Sequence, residues 1–192
     1  MSGMEINKWN KDKWVNGKPH IKNNMRVLDI GCSSCLFFDY LKQNGINTEA
    51  VGFDIDKNKL KVAKKKNYVC YDSLKEVKGK FDIITMWEVI EHMPLNGFLD
   101  YLEWIRKHLK KEGKLIISTP NILNIFYPFW SEPTHIKPYS LDSLSRVLKS
   151  NGFEIISKKM THRLKHPLKI VFCLSTTREF HSKMVVVAKP MA

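Results

Sequence analysis

V-L-D-I-G-C-S-S-C, Val27 to Cys35, is the stretch that decides how this chain folds. Met25–Asp29 is a short apolar run that stops at Gly31, which predicts a buried strand. Leu36, Phe37, Tyr40 and Leu41 then recur at helical spacing until Asn44-Gly45 ends the helix. Between strand and helix lie only small residues, so the backbone can approach a ligand closely, and the helix start offers free N–H groups to it.

The same alternation continues on both sides of the turn. Ala50–Asp54 predicts a second strand, Asn58–Lys65 a short basic helix and Tyr68–Tyr71 a third strand. Phe81–Trp87 is almost wholly apolar, as a strand covered on both faces must be. Phe98, Leu102, Ile105 and Leu109 form one stripe of a helix ending before Gly113. Lys114–Ser118 predicts a fifth strand. A helix marked by Leu141, Leu144, Val147 and Leu148 has Ser140 as its cap and Asn151-Gly152 as its stop. Phe153–Ser157 and Met184–Ala188 complete the strands. Repeated strand–helix units predict an α/β, doubly wound, mainly parallel sheet. The expected organisation is one domain over residues 1–192. Its irregular parts are the first twenty-odd residues (an N-terminal segment over 1–24), residues 121–139 and residues 161–183, the last two on the substrate side.

Bulk properties narrow the classes. No apolar run reaches the roughly 18 residues of a membrane span, and residues 1–13 lack the apolar core of a signal peptide, so a cytoplasmic location is expected. There are 32 Lys and Arg against 19 Asp and Glu, a net charge of +13. Such a balance suits a polyanionic partner such as nucleic acid, and a Lys-, Asn- and Ile-rich coding bias would produce it equally well. Cys32 and Cys35 form a single C-x-x-C without a second pair. Zinc needs further ligands, so Cys32, Cys35, Cys70 and Cys173 are expected as free thiols in a reducing compartment.

In a doubly wound sheet ligands bind beyond the carboxyl ends of the strands. Asp29 and Gly31 stand at the first of these ends and Asp54 at the second, where a carboxylate can accept both hydroxyls of a ribose. The pair suits an adenosine-containing ligand; a tight turn and a capping Asp are the plainer alternative. Directly after the fourth strand comes Glu88-x-x-Glu91-His92, and His135 follows in an aromatic loop. Two carboxylates and an imidazole are ligands for Mg²⁺, Mn²⁺ or a similar cation, or simply the polar start of a helix. Phe126, Tyr127, Phe129, Trp130 and Tyr139 would make a lid or a small aromatic core, and Trp9 and Trp14 could close the opposite side. Arg163, Lys165, His166, Lys169, Arg178 and His181 are candidates for holding an anionic substrate.

Taken in order, these motifs resemble the seven-stranded, class I S-adenosylmethionine-dependent methyltransferases over roughly Val27 to Pro190. V-L-D-I-G-C is similar to their first motif and G-F-D-I-D (Gly52–Asp56) to their second; F-D-I-I-T-M-W-E-V-I-E-H-M (Phe81–Met93) and G-K-L-I-I-S-T-P-N (Gly113–Asn121) are similar to their fourth- and fifth-strand motifs. The resemblance implies S-adenosylmethionine as cofactor, held by Asp29, Gly31, Cys32, Ser33, Asp54, Ile55, Asp72, Ser73 and Trp87, with Asp54 on the ribose and Asp72-Ser73 near the adenine. One departure is that Ser33 and Cys35 stand where the family usually has glycine. E-V-I-E-H-M with a downstream His is similar to both ubiquinone-pathway O-methyltransferases and small-RNA 3′-terminal ribose methyltransferases, and T-H-x-x-x-x-S (Thr134–Ser140) to the former. This implies Glu88, Glu91, His92 and His135 as catalytic residues and as ligands of a divalent metal such as Mg or Mn. The implied activity is methylation of a small-molecule hydroxyl; ribose methylation of RNA and a non-catalytic partner subunit are the alternatives.

Overall fold

The computed structural model describes residues 8–124, 129–161 and 182–191. Seven strands form one sheet: β1 Arg26–Ile30, β2 Glu49–Phe53, β3 Val69–Tyr71, β4 Phe81–Trp87, β5 Leu109–Pro120, β6 Phe153–Thr161 and β7 Lys183–Pro190. Their order is β3-β2-β1-β4-β5-β7-β6, and only β7 runs antiparallel to its neighbours. The chain runs outward from β1 to β3 and then returns to β4 on the other side of β1. That reversal opens a crevice above β1 and β4.

Successive residues of a strand face opposite sides, and the two cores follow this rule. Leu28, Ile30, Ile84, Met86, Leu115, Ile117, Met184 and Val186 face one side, under α4 (Leu95–His108) and α5 (Leu141–Ser150). Val27, Ile83, Trp87, Ile116, Val185 and Val187 face the other, under α1 (Lys8–Gly17), α2 (Leu36–Gln43) and α3 (Lys57–Lys65). From α4, Phe98, Leu102 and Ile105 are fully buried, each contributing about 1.5–3 kcal/mol of apolar transfer. Ser140 caps α5 as expected, exchanging hydrogen bonds with Ser143.

Three expectations change. The N-terminal stretch is not irregular throughout: α1 forms there, followed by a 3-10 turn at Lys18–His20. K-W-N-K-D-K-W-V-N-G has no apolar stripe to announce a helix; tertiary contact supplies it, through Trp14 packed on Phe37 and Tyr40. Leu109 leaves the helix, adopts extended geometry and pairs with Phe81. A register shift follows before Lys114 pairs with Ile83, so β5 begins earlier than its apolar run. Tyr139 lies in the core against Phe98 rather than on a lid. Phe126, Tyr127, Cys173, the side chain of Trp9 and the basic positions from Arg163 to His181 lie outside the described residues. Among the described residues no helix is long and apolar enough to cross a membrane.

Candidate active site

A cavity of about 820 Å³ opens at the carboxyl ends of β1, β2 and β4. Its floor is the turn after β1, where the Gly31 and Cys32 amides donate to the Phe53 carbonyl at 2.8 and 3.0 Å. Gly31 has φ +76°, and a Cβ there would lie 2.4 Å from Val89, so this position demands glycine. Ser33 and Cys35 also take positive φ, 50° and 60°. Two residues other than glycine thus hold a left-handed backbone in this turn, at a cost.

The Ser33 amide donates to Asp54 Oδ2 at 2.7 Å, and the Asp56 amide to Oδ1 at 2.9 Å. Two backbone donors fix the carboxylate, which still has lone pairs to offer a ligand. Beside it Ile55 is 80% exposed at the rim, an apolar side chain with no protein cover. Asp29 is buried and accepts from Thr85 Oγ1 at 2.6 Å. Burial pushes its pKa up to about 7, against the pull of Thr85 and Lys13. Trp87 lines the wall, packed on Phe37 at 5.0 Å. Asp72 and Ser73 do not line the cavity. Asp72 pairs with Lys57 on α3 at 3.1 Å, and Ser73 Oγ accepts from the Lys75 amide.

A second cavity, about 480 Å³, adjoins the first, and Lys13, Glu88, His92 and Thr134 line both. Glu88 follows β4 with φ +57°, a strained backbone of the kind found at functional sites. Its carboxylate lies 2.7 Å from Lys183 Nζ and accepts from Ser118 Oγ at 2.7 Å. Burial opposes ionisation of Glu88, but the Lys183 and Lys13 ammonium groups outweigh it and hold the pKa below its usual value. Burial lowers Lys183 to about 8, with Glu88 acting against that shift.

Glu91 is fully buried; one oxygen accepts from Thr119 Oγ1 at 2.9 Å and the other has no hydrogen-bond partner among the described residues. Burial, then the Glu88 charge, raises its pKa to about 8. Its main-chain carbonyl accepts from the Ile136 and Lys137 amides, which ties the loop before α5 to this site. His92 Nδ1 lies 3.1 Å from the Thr134 carbonyl and His135 Nδ1 2.8 Å from the Phe129 carbonyl. A carbonyl can only accept, so each Nδ1 carries a hydrogen, and Nε2 is the ring atom turned away from that carbonyl. Ligand atoms of Glu91, His92 and His135 all lie within 4.8 Å of one another.

Of the four residues expected to converge, the structure therefore brings three together. Glu88 is not in the group, because its carboxylate is held by Lys183 and Ser118. Lys13 and Tyr101 line the first cavity and Lys183 the second, and none was anticipated. Lys183 had a signal, a lysine heading the apolar run M-V-V-V-A. Lys13 had none, since it is one of several lysines in a polar segment.

The methyltransferase-domain family matches residues 12–158 of this chain. A ubiquinone biosynthesis O-methyltransferase of Coxiella burnetii is 30% identical over 175 residues, 78% of this chain and 71% of that protein. One from Pelagibacter ubique is 32% identical over 120 residues, 58% of this chain. The chain spans 48% of the Pelagibacter protein's length. A SAM dependent methyltransferase from Archaeoglobus fulgidus superposes with a TM-score of 0.79 at 21% identity, covering 95% of this chain and 93% of that one. Seven strands in this order, a ligand crevice above β1 and β4 and the family match agree: the chain belongs to the methyltransferase-domain family, in its class I, S-adenosylmethionine-dependent branch.

Proposed function

We propose that this protein transfers a methyl group from S-adenosylmethionine to a hydroxyl oxygen of a small molecule held in the second cavity. The observation that carries this reading is the junction: Lys13, Glu88, His92 and Thr134 line both cavities, so donor and acceptor meet there without crossing solvent. The names of the Coxiella and Pelagibacter relatives support oxygen as the acceptor atom.

The first cavity fits the donor. Asp54 has lone pairs for the ribose hydroxyls, and open Ile55 offers a face for the adenine. Asp29 is poised to become charged beside a cationic amine. Lys13, only 6% exposed, is a cation aimed at the carboxylate end. When bound, the donor supplies an electrophilic methyl group on a positively charged sulfur. The protein's part is positioning: Trp87 and Phe37 exclude water from the wall, and ionised Glu88 accepts a hydrogen bond from the acceptor hydroxyl.

The Glu91, His92 and His135 group fits a divalent cation, having a buried carboxylate oxygen without a hydrogen-bond partner among the described residues and two imidazole rings whose ligand atoms lie within 4.8 Å of it. Two nitrogen ligands favour Mn²⁺ over Mg²⁺. Such a cation would supply Lewis acidity toward the acceptor hydroxyl. We also read the whole chain as one catalytic domain, supported by a single sheet, and place it in the cytoplasm, supported by the free thiols Cys32, Cys35 and Cys70.

Methyl transfer from labelled donor to a panel of catechols, phenols and short RNAs, with and without EDTA, tests the proposal. Turnover of a phenolic hydroxyl, lost in EDTA and restored by Mn²⁺, is expected. Transfer to RNA ends alone would replace it with the second reading, ribose methylation, which the net charge of +13 favours. Donor binding without transfer to either class would overturn both.

A further inference from the structure

Three sulfur atoms meet beneath the turn that floors the first cavity. Cys32 and Cys35 come from that turn and Cys70 from β3, with side chains 4%, 0% and 6% exposed. Their Sγ atoms all lie within 4.8 Å of one another, and those of Cys35 and Cys70 are 3.6 Å apart. Gly52 on β2 makes the space: a Cβ there would come 2.6 Å from Cys32 Sγ, 3.0 Å from Cys70 Sγ and 3.2 Å from Cys35 Sγ. The C-x-x-C is thus completed by a residue 35 positions further on.

We propose that Cys32, Cys35 and Cys70 form a buried three-sulfur site for a soft, low-coordinate cation of the Cu(I) class. An ion equidistant from three sulfurs separated by 3.6–4.8 Å lies about 2.1–2.8 Å from each, which brackets the roughly 2.3 Å of a metal–thiolate bond. Among the described residues no fourth ligand joins the group, which disfavours zinc in a closed tetrahedral site. Hard cations require oxygen ligands, whereas thiolates select soft ions. Loading exchanges up to three thiol protons for the ion. Cys32 also lines the first cavity, so the route in passes through the donor site and a bound donor closes it.

The test is a titration of the reduced full-length protein, without oxygen, with Cu(I) held by a competing chelator. One ion per chain is expected, with X-ray absorption showing three sulfur neighbours and no nitrogen. S-Adenosylhomocysteine should slow loading. Loss of an outer partner already weakens metal sites 10- to 100-fold, so Cys70→Ser should weaken this one by about 100-fold or more, while Cys173→Ser leaves it unchanged. No uptake against the chelator, nitrogen neighbours from His92 or His135, or full affinity in a folded Cys70→Ser protein would overturn the proposal. The X-ray absorption result on the wild type decides it even if Cys70→Ser fails to fold. None of these readouts depends on the methyl acceptor.

Discussion

The two cavities are built by opposite means. The larger is made by neighbours in sequence: Asp29, Gly31, Cys32 and Ser33 at one strand end and Asp54, Ile55 and Asp56 at the next, locked by backbone amides. The smaller is made by residues from α1, the segment after β4, the end of β5, the loop before α5 and the start of β7, held by side-chain charge. Local backbone geometry needs only a short motif. Charge pairs between distant elements need the finished fold. Four residues belong to both cavities, so the two can be separated by mutation at all other positions.

The largest separation should come from His135→Ala, which lines the smaller cavity and not the larger. Several kcal/mol of Lewis-acid stabilisation corresponds to a turnover loss of roughly 10³-fold, with S-adenosylhomocysteine affinity by calorimetry nearly unchanged. Equal loss of both would mean that the cavities are not independent. Lys183→Met leaves the Glu88 charge buried and unpaired, which should cost about 3–5 kcal/mol of stability in denaturant titration. A loss under about 1 kcal/mol would show that the pair is solvated. In the other cavity, Asp54→Ala should weaken donor binding by about 1–3 kcal/mol; unaltered affinity would remove Asp54 from the ribose role.

Asp29 supplies a pH signature. Its carboxyl holds a proton up to about pH 7 in the folded state but only to about 4 unfolded. The folded state therefore binds more protons in that window, and stability falls as pH rises from about 4 to 7, by at most about 1.4 kcal/mol per pH unit, then levels off. Asp29→Asn should flatten that decline, and identical pH profiles for the two proteins would show that Asp29 titrates normally. The smallest effect is Ser33→Gly, which relieves a positive φ and should raise stability by about 0.5–1 kcal/mol. A lowered melting temperature would show that the serine is not strained.

Residues that announce themselves by local chemistry were legible. Phe81–Trp87 was readable to the residue because both faces are buried, and Ser140 because a cap acts within one turn. Asp29, Gly31 and Asp54 sat at strand ends that the alternation already located. Lys13 was hidden because α1 gains its order from Trp14 packing onto Phe37 and Tyr40, not from its own pattern. The separation of Glu88 from Glu91 and His92 depends on Lys183, nearly a hundred residues later, and no spacing rule reaches that far. Cys70 looked like an ordinary strand thiol until β3 came to lie next to β2.

The reversed strand β7 has a consequence for how this protein can change. Because it runs against its neighbours, its first residue, rather than its last, lies at the ligand edge, beside the last residue of β6. The Ser182 amide donates to the Thr161 carbonyl at 3.1 Å, and Thr161 pairs in register with Lys183. Residues 162–181 thus leave and return through one clasped doorway. A stretch joined that way can be lengthened, shortened or exchanged without moving any strand's register, since closing a longer loop adds little free energy. Insertions between β6 and β7 can therefore accumulate while the turn after β1 and the end of β2 keep their places in the sheet.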